Sequence, residues 1–288
     1  MTRQRLKPQN DFIFKRLFGE TEAKELLIHL LNAIFEAAGG KRIEDLTIIG
    51  NTELSKELID DKTGRLDIRA ETSDNEQINI EVQLEPQRHM DKRTLFYWSK
   101  MYAESIKAGE AYTKLKKTIT INLLDFYYLN TERFHSTFHL YADREASLPL
   151  TDVMEIHFIE YPKFRRSGKN LRDPLHRWLL FLEETLPDDQ LEELMSMDPV
   201  IKKAEERLEW LSGDEETRRL YEAREFSKYE RNSIVSSAKE EGEELGKAKG
   251  KAEAKEEIAR NLLALGMDVK QIAKATGLSE AEIGKLKP

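Results

Sequence analysis

No cysteine occurs among the 288 residues, which excludes disulfides and thiolate metal sites. No apolar run approaches the length of a membrane span, so the chain is not expected to cross a membrane. The opening MTRQRLKPQNDF has no apolar core of the kind a signal peptide carries, and a cytoplasmic protein is the economical expectation. Glycine-rich phosphate loops, nucleophile elbows and thiol–histidine pairs are also missing. Basic residues (46) are outnumbered by acidic ones (54), and the net charge of −8 argues against indiscriminate nucleic-acid binding. A local basic stretch survives that argument: residues 163–177 hold six Lys or Arg against one Asp, either as a solvated face or as a phosphate-contacting one.

What is present reads as helices and strands in mixed order. Phe12, Leu17 and Phe18 mark a first helix; Leu26, Leu27, Leu30, Leu31 and Ile34 mark a second, which Gly39 and Gly40 stop. A short strand at 46–50 precedes a hairpin, and residues 91–112 return to helix with Leu95, Trp98, Tyr102 and Ile106 on one stripe. Strands follow at 117–126, 134–143 and 152–161, which makes an α/β sheet domain with helices packed on it. Beyond Asn170 only helices are expected. The implied division is an α/β domain at 1–169, a helical extension at 170–221, a charged, mobile helical linker at 222–253 and a small module at 254–288. Gly242, Gly246 and Gly250 share one stripe of the linker, each costing about 1 kcal/mol relative to Ala if helical.

The hairpin GRLDIRAETSDNEQINIEVQLEPQ (64–87) separates by parity. Leu66, Ile68 and Ala70 alternate with charges, and so do Ile78, Ile80, Val82 and Leu84 with polar residues. A three-residue loop at 73–75 pairs Thr72 with Glu76, and counting back along both strands brings Asp67 opposite Glu81. Their Cβ atoms would then lie about 4.5–5.5 Å apart. A two-residue loop would put them on opposite faces. Two carboxylates so close repel unless a cation or proton joins them, and a hard divalent ion such as Mg²⁺ suits them. Gln83, two residues on, shares their face and is placed to orient water or phosphate. The other reading is an ordinary solvated face, since Arg65 and Arg69 flank Asp67.

The arrangement D-x13-E-x-Q, with Glu81 and Gln83 in IEVQ, resembles the PD-(D/E)XK nuclease motif in its (D/E)xQ form. NDFIFKRLFG, LDIRA, INIEVQ and the stretch from Arg93 to Phe126 resemble the Rpn family of recombination-promoting nucleases, also called PD-(D/E)XK nuclease family transposases. The matching blocks cover most of residues 8–126, and EIARNLLALGMDVKQIAKATGLSEAEI is of the kind that ends such proteins. The resemblance implies a restriction-endonuclease-like mixed sheet flanked by helices, an all-helical C-terminal region, and Mg²⁺-dependent DNA cleavage in a bacterial recombination or mobile-element setting. Mn²⁺ or Ca²⁺ would be substitutes. Asp67 and Glu81 become the metal carboxylates, the Val82 carbonyl a further ligand, and Gln83 takes the place of the motif lysine. Glutamine has no charge and cannot act as a base, so it orients water only by hydrogen bonds.

Arg93 falls where the family carries an arginine, to hold phosphate or to pair with Glu81 or Glu85. Arg93, Tyr97, Lys100 and Glu104 form a stripe opposite Leu95, Trp98 and Tyr102. Asp11 and Lys15 match the N-terminal block as accessory residues, or form a first-turn acid and an i, i+4 pair. Lys114, Lys116 and Lys117, with Arg165, Arg166 and Lys169, are the expected DNA-backbone contacts. His135 and His139 share a strand face but are too far apart to chelate. In the tail, Asp268 and Ser279 cap successive helices, while Ala273, Gly277, Leu278 and Ile283 fit helix-turn-helix positions. Its second helix opens with acidic residues, so a packing or self-association module, giving a homo-oligomer, is expected over a DNA reader. Two other functions fit the residues: a catalytically weakened DNA- or protein-binding module, and a regulatory or assembly protein acting through its tail.

Overall fold

The computed structural model describes residues 5–49, 68–183 and 186–286. The chain divides into two compact units, Met1–Tyr221 and Glu222–Pro288.

The first unit is built on a six-stranded mixed sheet. Asn10 caps helix α1 (Asp11–Phe18), its side-chain oxygen accepting from the amides of Phe12 (3.0 Å) and Ile13 (3.3 Å). Helix α2 (Lys24–Ala37) is buried almost all round, from Leu26 to Phe35. Its Asn32 grips the backbone of Ile43 in both directions and so aims the chain into strand β1 (Leu46–Ile49). Strands β2 (Ile68–Thr72) and β3 (Gln77–Gln83) form the anticipated hairpin. Ile68 pairs with Ile80 and Glu71 with Gln77, the register that a three-residue loop dictates. Asn75, at φ 62°, supplies the left-handed residue that such a loop needs.

A crossover through helix α3 (Met90–Glu104) leads to β4 (Thr118–Leu124), parallel to β3. Strands β5 (His135–Ala142) and β6 (Glu145–Glu160) complete the order β1-β2-β3-β4-β6-β5, with β6 parallel to β4 and β5 antiparallel at the edge. Five described helices follow in this unit and across its end: α4 (Tyr161–Arg166), α5 (Pro174–Phe181), α6 (Asp188–Met197), α7 (Pro199–Gly213) and α8 (Glu215–Ala264). The fold is the expected PD-(D/E)XK type, a mixed sheet between helices followed by a helical region.

One face of the sheet, with Ile78, Ile80, Val82, Ile119, Ile121 and Leu123, packs on α1 and α2 in the main core. Residues 170–221 share that core. Trp178 of α5 is fully buried, edge-on to Phe18 at 5.6 Å, and its indole nitrogen donates to His29 Nδ1 (2.8 Å). Helix α7 is tied back to the N-terminus: Arg5 forks onto Glu205, and Arg207 donates to the Arg16 carbonyl (3.0 Å).

The other face corrects an expectation. The polar side of β3 is not solvated, because α3 lies across it. Its inward stripe is Met90, Thr94, Tyr97 and Met101; of the expected Leu95, Trp98 and Tyr102, Leu95 is exposed, Tyr102 is half-buried and half-buried Trp98 packs against the cluster that holds Met90. Thr94 donates to Asn122 Oδ1 (2.8 Å) and Trp98 to the Thr118 carbonyl (2.9 Å), so a few polar groups on a mixed helix face meet the polar strand face.

In the second unit α8 continues as one uninterrupted helix through Gly242, Gly246 and Gly250, none of which has a neighbour within 4 Å. Helices α9 (Val269–Thr276) and α10 (Glu280–Lys285) fold on its end over Ala259, Ile272 and Ile283. Gly277 makes the turn at φ 72°, and Ser279 with Glu282 forms a complete capping box. Among the described residues no helix is long and apolar enough to cross a membrane.

Candidate active site

β-branched and apolar residues make β3 and β4 central strands, and α3 then encloses what they carry on the other face. Glu81 is 3% exposed there. Its Oε1 accepts from Arg93 Nε (3.0 Å) and Nη2 (2.5 Å), while its Oε2 is buried with no hydrogen-bond partner among the described residues. Burial raises the Glu81 pKa above the usual carboxylate range, and the Arg93 charge opposes that rise. Arg93 also donates to Gln87 Oε1 (3.2 Å) and lies over the ring of Tyr97 at 5.3 Å. Gln83 is half-buried at the end of β3, where its carbonyl accepts from Asp125 (3.0 Å).

Glu81, Arg93 and Tyr97 are therefore brought together, with Lys100 half-buried further along α3. Asp67 lies outside the described residues. Its neighbour Ile68 meets the end of α1 at Gly19: a Cβ there would sit 2.7 Å from the Lys15 carbonyl and 3.3 Å from Ile68 Cγ1. The closer clash is with the last turn of α1 itself, so glycine is what lets the chain leave the helix there. Lys15 is half-buried in the last turn of α1, and Asp11 is exposed in the first.

The expected backbone contacts are scattered. Lys116 and Lys117 precede β4, level with Gln77, so a seven-residue strand of about 20 Å separates them from Gln83. Carboxylates already hold most of them. Lys114 pairs with Glu110 (2.8 Å), Lys116 with Glu71 (2.6 Å) and Lys117 with Glu155 (2.8 Å). Arg165 bridges Asp125 (2.5 Å) and Glu183 (3.0 Å). Lys169 lies over the Phe164 ring at 3.6 Å, and Arg166 is exposed beside Tyr127.

Sequence reasoning passed over Gln87, Arg88, His89, Lys92 and Phe96, which with Arg93 and Tyr97 line an open cleft at the start of α3. Its signal was available: two cations, a histidine and Arg93 fall within seven residues. Among the described residues no group of three His, Asp or Glu is arranged to hold a metal.

His135 does not pair with His139. It stacks on fully buried His157, Nε2 to Nδ1 at 2.9 Å, while His157 Nε2 meets Glu155 Oε1 at 2.8 Å. Burial, then the neighbouring His157, pushes the His135 pKa from 6.5 down to about 4. A proton is therefore taken up by the unfolded chain but not the folded one between those values, so stability should fall as pH drops from 6.5 to 4. The slope for that one proton is at most about 1.4 kcal/mol per pH unit. Burial raises the pKa of Glu155, but His157 and Lys117 outweigh it and bring it to about 2, so the contribution of Glu155 is lost only below 4.5. Urea unfolding at several pH values should show a flatter profile above pH 4.5 for His135→Gln.

A family model described as PD-(D/E)XK nuclease family transposase matches residues 8–238. A second, described as Rpn/YhgA-like nuclease family, C-terminal HTH domain, matches residues 252–288, the span that holds α9, the Gly277 turn and α10. Searches of curated proteins and of solved structures gave no match. With the mixed sheet, the Glu81–Gln83 strand and these two matches, the chain belongs to the PD-(D/E)XK nuclease family transposases and ends in an Rpn/YhgA-like helix-turn-helix domain.

Proposed function

We propose that this protein is a metal-dependent DNA endonuclease that hydrolyses phosphodiester bonds in a cytoplasmic recombination or mobile-element setting. The observation that carries the reading is the Oε2 of Glu81, a buried carboxylate oxygen without a partner among the described residues. Leaving such an oxygen bare costs free energy, and a hard cation is the ligand that suits it. The β2–β3 register, continued by one pair beyond Ile68 and Ile80, would set Asp67 opposite Glu81.

Asp67, Glu81 and the Val82 carbonyl would hold Mg²⁺, with Mn²⁺ or Ca²⁺ as substitutes. When bound, the ion lowers the pKa of a water and stabilises charge on the leaving oxygen. Arg93 fixes the Glu81 carboxylate through Oε1, which leaves Oε2 for the metal. The Gln83 amide orients the attacking water without taking its proton. Lys15 and Asp11, and Lys100 of α3, are accessory. Residues 222–288 would add self-association: Phe226, Ile234, Val235 and Leu245 are exposed along α8.

The rival reading is a binding module in which Gln83 marks lost catalysis. It draws on the Arg93–Glu81 pair, which offsets the carboxylate charge with no metal. Supercoiled plasmid decides between them. With Mg²⁺ the wild type should nick or linearise it, and both EDTA and Asp67→Ala should abolish the product. An intact plasmid with a folded wild type across Mg²⁺, Mn²⁺ and Ca²⁺ would establish the binding module instead.

A further inference from the structure

We propose that the cleft beside Arg93 binds one unstacked nucleotide of single-stranded DNA, with Arg88 and Lys92 on phosphate and Phe96 against the base. The inference rests on the nuclease reading for its substrate and deepens it by naming the form of DNA.

Three observations meet in this place. The cleft is open to solvent and has a volume of about 540 Å³. Two of its three cations differ from the paired cations already described. Lys114, Lys116, Lys117 and Arg165 each have a carboxylate within 3.0 Å, whereas Arg88 and Lys92 have no ion-pair partner among the described residues. A cation already paired must give up its carboxylate to meet phosphate, and an unpaired one need not. The third observation is aromatic. Tyr97 is buried and Trp98 is stacked on Tyr102, but Phe96 is 56% exposed, touching Tyr97 only edge-on. A flat apolar ring held among cations matches a base attached to a phosphate.

The same geometry selects an unpaired strand. A base inside a duplex has its faces covered by its neighbours, so a ring on a helix surface reaches a base face only when that base has left the stack. Arg93 joins the two places, since it lines the cleft and holds Glu81 Oε1. The nucleotide in the cleft would therefore neighbour the scissile phosphate.

The test is binding without cleavage. A fluorescent single-stranded oligonucleotide, the matching duplex and a free deoxynucleoside monophosphate are titrated in EDTA against the full chain. Phe96→Ala should weaken the single strand roughly ten- to a hundredfold, the usual worth of one stacked base, and leave the duplex unchanged. Phe96→Trp should keep the affinity, and its added indole fluorescence should be quenched by the oligonucleotide. Arg88→Gln with Lys92→Gln should lower the logarithmic salt slope by about 1.4 for two phosphates on a single strand. No loss in Phe96→Ala, or an equal loss on duplex, overturns the inference, as does an unchanged salt slope. A monophosphate bound as tightly as the oligonucleotide overturns the assignment to a strand. Plasmid cleavage is scored separately, so a nuclease indifferent to Phe96 and a strand binder that never cuts give different results.

Discussion

Arg93→Ala should destabilise the first unit by about 3–5 kcal/mol, the usual cost of removing one member of a buried ion pair. The loss follows from what the substitution leaves behind. Side-chain exposure is 4% for Glu81 and 15% for Arg93, so the carboxylate would remain desolvated with neither oxygen bonded to the guanidinium. Urea unfolding at neutral pH reads the effect directly. The sign with pH is fixed as well. Burial already raises the folded pKa of Glu81 and Arg93 restrains it, so removing Arg93 raises it further. A carboxyl with a raised folded pKa is favoured by acid, and its contribution is lost as pH rises through that value. The penalty of Arg93→Ala should therefore grow as pH rises through the raised Glu81 pKa and shrink in acid below it. Glu81→Gln in the same background should recover most of it, and a double variant no more stable than Arg93→Ala would refute this account of the pair.

Glu81→Gln alone should separate chemistry from folding. Plasmid nicking should fall roughly 10²–10³-fold, the scale of removing one electrostatic stabiliser from an active site. Stability should fall by only about 1–2 kcal/mol, because the amide oxygen still accepts from Arg93. Arg93 also borders the open cleft and keeps its contact with Gln87 and the Tyr97 face. Retained nicking in a folded Glu81→Gln protein would remove Glu81 from the reaction.

Much of this was legible from parity and loop length. The three-residue loop fixed the pairing of Ile68 with Ile80, and the period-two alternation named the strand face that packs on α1 and α2. The covering of the opposite face was not legible. Hydrophobicity assigned α3 an inward stripe of Leu95, Trp98 and Tyr102, yet the helix turns Met90, Thr94, Tyr97 and Met101 to the sheet, with Arg93 reaching Glu81. The polar strand face meets Arg93 and Thr94, while both side-chain polar atoms of Asn79, Thr120 Oγ1 and Glu81 Oε2 keep no partner among the described residues, and hydropathy cannot foresee which polar groups pair; the Thr94–Asn122 bond spans 28 residues. The cations misled for a similar reason. Lys116 and Lys117 are conspicuous in sequence, but their carboxylates at 71 and 155 become neighbours only when strands β2 and β6 join the sheet.

The tie between α1 and α7 sets a schedule for the growing chain. Arg16 meets Arg207 and Leu6 meets Ser212, so the first helix finds its partner only after some 190 further residues have been made. At 5–20 residues per second that delay is roughly 10–40 s. The β2–β3 hairpin emerges early and needs only its own loop to close, but the core beneath it cannot be completed until the ribosome has passed Ser212. A chain released before that point would carry the Glu81 strand without the packing beneath it, so the core under the centre is completed only after Ser212 has been made.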